Sequence, residues 1–150
     1  QRIAPEFPAV ENLTIVPPPP LAPQCFQQMD LVWIDGQYPC TASEKPDFSG
    51  WMRFNPERHD NREMTVADLM VAFDMWPPGV LPMFKTFAPA SSLTWLVTYV
   101  HSLNNHVQDW FKYKVFTDYA AEGYSTEYAH LWDAENRLIA ISRQTVTVFA

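Results

Sequence analysis

Glycine is nearly missing from this chain of 150 residues. The four present form no phosphate-cradling cluster, which argues against nucleotide-dependent transfer. Cysteine is scarcer still. Cys25 and Cys40 show neither metal-ligand spacing nor a Cys-x-x-Cys pair, and the expectation is two buried free thiols, or one disulfide if the protein is exported. Basic residues are few, ten Lys and Arg against seventeen Asp and Glu. The net charge of -7 has the wrong sign for a general nucleic-acid binder, so no nucleic-acid partner is expected. No apolar run is long enough to span a membrane, and the first residues lack the charged-then-apolar order of a signal peptide. The expectation is a cytoplasmic protein with no membrane span, although the chain opens on Gln1, as it would after loss of an upstream segment. His59, His101, His106 and His130 have no metal-ligand spacing, so neither a metal nor a cofactor is expected. A Gly-x-Ser-x-Gly elbow is also missing, which leaves no signature for a serine nucleophile.

Apolar side chains are abundant. A hydrophobic content of 47% and an aromatic content of 15% support a packed core, and the length suits one domain. Proline is concentrated at the front. Pro5, Pro8, the run Pro17 to Pro20 and Pro23 favour extended conformation and exclude helix or central strand. Residues 1–23 are therefore expected to form a linker or edge strap, with an SH3-type ligand as the rarer alternative.

Thr65 to Trp76 reads as the one convincing helix. Val66, Leu69, Met70 and Phe73 share a face, and Val71, Met75 and Trp76 spread it nearly all round, the pattern of a buried helix. Thr65 is the expected N-cap, with Asp68 in the first turn, and Pro77-Pro78 supplies the stop. Alternating or turn-bounded apolar runs predict strands at Phe26 to Ile34, Phe48 to Phe54, Ser92 to His101, Asp109 to Asp118, Tyr124 to Trp132 and Arg137 to Phe149. Two strands, a helix and four strands imply an α+β layout, one long helix against a large antiparallel sheet that wraps round it.

Three polar residues sit where apolar ones are expected. Asp74 lies near the end of the greasy helix, Ser92 opens a strand, and Gln144 falls among aliphatic neighbours. A carboxylate taken out of water moves toward the strength of a useful base, and a buried carboxamide needs hydrogen-bond partners. Brought together, the three could hold and deprotonate a water, Asp74 as general base and Ser92 and Gln144 as orienting groups. Each also has an ordinary explanation. Asp74 can face solvent, Ser92 can merely begin a strand, and Gln144 can point outward, since Ile139, Ile141, Thr145 and Phe149 make the opposite face apolar too. Simple alternation puts Thr94 on the same side as Ser92, opposite Trp95. Lys112 and Lys114 share a strand face that could touch a phosphorylated ligand, though a solvated face is the default, and His130 is expected to be a packed or surface residue.

The run Ala72-Phe73-Asp74-Met75-Trp76-Pro77-Pro78, then Ser91-Ser92-Leu93-Thr94, resembles the C-terminal half of the acyl-CoA thioesterase II (TesB-like) double hotdog family. Asp109-Trp110, Leu131-Trp132-Asp133, Arg137-Leu138-Ile139-Ala140 and Ser142-Arg143-Gln144 continue the likeness in order. It implies a hotdog fold over residues 24–150, a central helix wrapped by a curled antiparallel sheet, and hydrolysis of acyl-CoA-type thioesters. The family's Asp, Thr or Ser, and Gln correspond to Asp74, Ser92 and Gln144, with Thr94 the competing hydroxyl. Where the family often carries an Asp-His pair after that hydroxyl, this chain has Thr94-Trp95. The family joins two hotdog units in one polypeptide, so the resemblance implies a partner, either an N-terminal half or a second copy. Two alternatives accompany the enzyme reading: a non-catalytic half that binds acyl chains or dimerises, and a hydratase or dehydratase, which would need a His beside Asp74.

Overall fold

The computed structural model describes residues 3–20 and 22–149; residues 1, 2, 21 and 150 of the two expected segments lie outside it. In chain order the elements are β1 (Met29–Gly36), β2 (Phe48–Phe54), α1 (Val66–Asp74), β3 (Ala90–Tyr99), β4 (Phe111–Ala121), β5 (Tyr124–Asp133) and β6 (Leu138–Val148). All six strands pair antiparallel in one sheet, ordered β1-β2-β4-β5-β6-β3, with β1 and β3 at its edges. This is the α+β order expected. The first strand starts later than its apolar run suggests, because Pro23 leads into a 3-10 turn over Gln24–Gln28.

The helix begins where its capping chemistry dictates. The Thr65 side chain accepts the Asp68 N–H, while the Asp68 carboxylate accepts the Thr65 N–H at 2.8 Å, a reciprocal capping box. Arg62 grips the same carboxylate with two hydrogen bonds of 2.7 and 2.8 Å, and holds it well below the usual carboxylate range. Leu69, Ala72 and Phe73 are buried against the sheet. The helix is not buried all round, contrary to expectation. Val66 and Val71 are 56% and 42% exposed, and Ala67, Val71 and Asp74, at helical spacing, face away from the core.

Phe48, Met52, Phe111, Tyr113, Val115 and Leu131 form the sheet's side of that core. Trp76, just past the helix, closes one end. Its ring stacks on Tyr113 at 4.7 Å and 6°, touches Phe48 and Trp33, and its Nε1 donates to Met52 Sδ at 2.9 Å. Gly50 makes this possible. A Cβ there would lie 2.1 Å from the Val32 carbonyl oxygen and 3.0 Å from the Trp76 ring.

On the opposite face of the sheet the N-terminal segment is tied down. Pro8 and Pro5 carbonyls accept from Trp51 Nε1 and Lys112 Nζ at 3.0 and 2.9 Å, and Phe7 packs edge-on to Trp51. Lys112 is therefore no ligand for a phosphate. It is buried, it also donates to Asn136 Oδ1 at 2.7 Å, and burial pushes its ammonium pKa down. His130 is packed, its ring stacked on Trp132 at 5.4 Å. Both cysteines are free, but neither is buried as expected: Cys25 is exposed on the 3-10 turn after Pro23, and Cys40 is half-buried in the loop before β2. Among the described residues no helix is long and apolar enough to cross a membrane.

Removing the cap should be felt. Thr65→Ala is expected to cost about 1 kcal/mol in urea unfolding, whereas Val66→Ser on the outward face should stay within about 0.5 kcal/mol. Equal effects of the two would contradict the capping account.

Candidate active site

β3 does not alternate evenly. Ser92 pairs with Val146, but Thr94 pairs with Thr145, so a bulge absorbs Leu93. Every residue beyond the bulge changes face. Ser92 and Trp95 therefore share the helix-facing side with Gln144, and Thr94 turns to the other side. Gln144 Nε2 donates to Ser92 Oγ. Trp95 Nε1 donates to Ser142 Oγ at 2.8 Å, which anchors the shifted strand. The Gln144 face of β6 is the inner one, since Ser142, Val146 and Val148 are buried while Phe149 is exposed. Ser92 itself is exposed and Gln144 half-buried, so the pair opens to solvent.

Asp74 is the last residue of α1 and is exposed. Among the described residues its side chain makes no hydrogen bond or ion pair; its charge is felt by the buried Tyr113 phenol, whose pKa burial raises far more. The structure thus joins two of the three expected residues and leaves the acid apart from them. No histidine serves it either: His101 Nδ1 contacts the Leu138 carbonyl at 2.5 Å, and His130 stacks on Trp132.

One acid of this region was missed in the sequence. Glu127 of β5 lies directly across from Gln144 and is buried, with its Oε2 accepting the Gly79 N–H at 2.8 Å. Burial, and to a smaller extent the Asp47 charge, push its pKa up to about 7 against the partial relief of the Gly79 hydrogen bond. The signal was present: alternation in β5 puts Glu127 on the same side as the apolar Ala129 and Leu131. A cleft of ≈ 390 Å³ across β3, β5 and β6 is reached by Trp95, Glu127 and Gln144 but is lined mainly by residues of the sheet's other face, such as Thr94, Tyr128 and Arg143, and does not include Ser92. A cleft of similar size under the N-terminal segment is occupied on its polar side by the paired Lys112 and Asn136, and offers no comparable chemistry. Among the described residues no three His, Cys, Asp or Glu side chains converge on an ion site.

The acyl-CoA thioesterase C-terminal domain family matches residues 5–148, nearly the whole chain. The chain belongs to that family. The acyl-CoA thioesterase domain shares its hotdog fold with solved structures of low sequence identity. One is a protein of unknown function with a hot dog fold from Alicyclobacillus acidocaldarius, with a TM-score of 0.81 and 19% identity, covering 100% of this chain and 56% of that one. Another is a tesB protein from Mycobacterium avium subs paratuberculosis, at 0.72 and 14%, covering 100% and 55%. A third is the acyl-CoA thioesterase II TesB2 from Mycobacterium marinum, at 0.68 and 13%, covering 99% and 56%. The chain spans little more than half the length of each. No curated protein matches it.

Glu127 gives this thioesterase domain a distinctive pH dependence. Between pH 4.5 and about 7 the unfolded chain gives up this proton while the folded chain keeps it, so stability falls as pH rises through that window. Glu127→Gln should abolish the fall. Relative to wild type it should gain about 3 kcal/mol between pH 4.5 and 8, read from urea midpoints; a constant difference would contradict the buried, neutral acid.

Proposed function

We propose that the chain hydrolyses acyl-CoA-type thioesters with a water activated by Asp74. Ser92 and Gln144 hold that water and the developing oxyanion. The observation that carries this reading is the Ser92–Gln144 hydrogen bond, made across a bulge on the helix-facing side of the sheet, in a chain of the acyl-CoA thioesterase family. Water attacks the thioester carbonyl as the carboxylate takes its proton. The tetrahedral intermediate then collapses, the C–S bond breaks, and the thiolate leaves and is protonated. Asp74→Asn should lower turnover by about 10²–10⁴-fold with the circular dichroism spectrum unchanged, measured as thiol release from short, medium and aromatic acyl-CoAs. Undiminished turnover would end this assignment.

The site is open on the side where β3 and the outward face of α1 meet solvent. Leu93 and Leu96 on β3 are 61% and 59% exposed, beside Tyr99 on the same edge strand. An apolar edge strand of this kind invites pairing. We assign it to a second hotdog unit, an N-terminal half or another copy, whose approach would exclude water from Asp74 and strengthen it as a base. If copies pair, wild type should sediment as a dimer and Leu96→Lys as a monomer. A monomeric wild type would point to the N-terminal half.

A non-catalytic, acyl-binding half is the second reading. It is favoured by the unpartnered Asp74 and by Thr94-Trp95 in place of the family's Asp-His pair. A chain that binds acyl-CoA and releases no thiol at any acyl length would establish it. No observation favours hydratase or dehydratase chemistry.

A further inference from the structure

Glu127 is used by nothing described so far, yet its place is specific. Four residues separate Asp74 from Gly79 along the chain, and two of them are Pro77 and Pro78, whose fixed φ makes the segment stiff. Gly79 is gripped from both sides. Its N–H goes to Glu127 Oε2 at 2.8 Å, and its carbonyl accepts the Asp47 N–H at 2.8 Å. Asp47 in turn accepts the Thr117 N–H at 2.7 Å, which ties this loop to β4. The packing there is tight, since a Cβ at Gly79 would lie 3.0 Å from both Thr117 Oγ1 and Val115 Cγ2 and those side chains would have to give way. On its other flank Glu127 is the register partner of Gln144.

We propose that Glu127 is a positioning residue for the acid at the helix end. By holding the Gly79 amide it fixes the Pro77-Pro78 segment that follows the helix, and its charge state sets how firmly the helix end carrying Asp74 is held. The role in turnover rests on the thioesterase reading above.

The surroundings favour a switch over a permanent ion. The Gly79 N–H is the carboxylate's only hydrogen-bond donor among the described residues. The titratable groups that act on it are Asp47, from the loop before β2, and the buried Tyr113 phenol of β4, while Asp118 of β4 and Arg143 of β6 line the same cleft; the segment after α1 offers the neutral Gly79 amide and β6 its register partner Gln144. Thr117 Oγ1 and Ser125 Oγ, nearby on β4 and β5, are buried with no partner among the described residues and carry no charge. With no ion pair to fix it among the described residues, the carboxyl changes charge near neutral pH, where its pKa of about 7 places it. Ionised, it grips the amide with a charge-assisted hydrogen bond; protonated, it grips less firmly.

The scarcity of glycine supplies the test. With ¹⁵N-glycine labelling the chain gives four amide signals, for Gly36, Gly50, Gly79 and Gly123. The Gly79 signal should titrate with an inflection near pH 7 in wild type and lose it in Glu127→Gln, which keeps an oxygen acceptor but cannot ionise. The kcat for acyl-CoA hydrolysis should rise through the same pH. In Glu127→Gln it should show no inflection and fall about tenfold at pH 8, with KM little changed. Glu127→Ala should be slow at every pH. A Gly79 signal flat from pH 6 to 8, or an inflection that survives in Glu127→Gln, overturns the latch. A kcat profile unchanged in Glu127→Gln overturns the positioning role. An inert chain whose Gly79 still titrates with Glu127 overturns the thioesterase reading and the catalytic half of the proposal, and leaves the latch standing.

Discussion

The stacking of Trp76 on Tyr113 is the contact on which the end of the helix and the segment after it depend. It buries two large rings face to face, draws in Phe48 and Trp33, and satisfies the indole N–H with a methionine sulfur. The helix is nine residues long, too short to be stable by itself, and its order comes from packing. Trp76 lies two residues beyond Asp74, so the same aromatic cluster that closes the core also sets where the acid stands. The capping box does the corresponding work at the other end, with Arg62 as a tether to the incoming loop.

A second constraint acts on the sheet. Without the bulge at Leu93, Ser92 and Thr94 would lie on one face of β3; with it, Ser92 shares the Gln144 side and Thr94 turns away. One extra residue in an edge strand thus decides which hydroxyl meets the carboxamide. Pairing along β3–β6 and the Trp95–Ser142 hydrogen bond keep that choice in place. The acid, the hydroxyl and an apolar edge all face solvent, in a chain little more than half as long as the three solved structures named above.

Much of this was legible in the residues. Phe48–Phe54 was bounded correctly because its apolar run is flanked by turns, and the helix start followed from Thr65 and Asp68. Alternation set Phe111, Tyr113 and Val115 of β4 opposite Lys112 and Lys114, but in β6 it left either face open as the buried one, because both are apolar. It failed where the period itself breaks: even spacing grouped Ser92 with Thr94, and nothing in Ser91-Ser92-Leu93-Thr94 announces a bulge. The helix looked buried on all sides because apolar composition does not say what covers it, and Val66 and Val71 remain open. Glu127 escaped notice although its place in the β5 alternation was readable, because its burial comes from the Gly79 loop, forty-eight residues away in the chain. Lys112 looked solvated for the same kind of reason, since its cover is the distant N-terminal segment.

The central claim is that water, not the protein, attacks the thioester, and that Asp74 only accepts a proton. Oxygen labelling tests this most directly. A single turnover of an acyl-CoA in H₂¹⁸O should put one ¹⁸O into the released carboxylic acid and none into the peptide containing Asp74. Label in the Asp74 carboxyl would show that the residue itself had attacked, and an absence of released acid would show that the site does not hydrolyse thioesters.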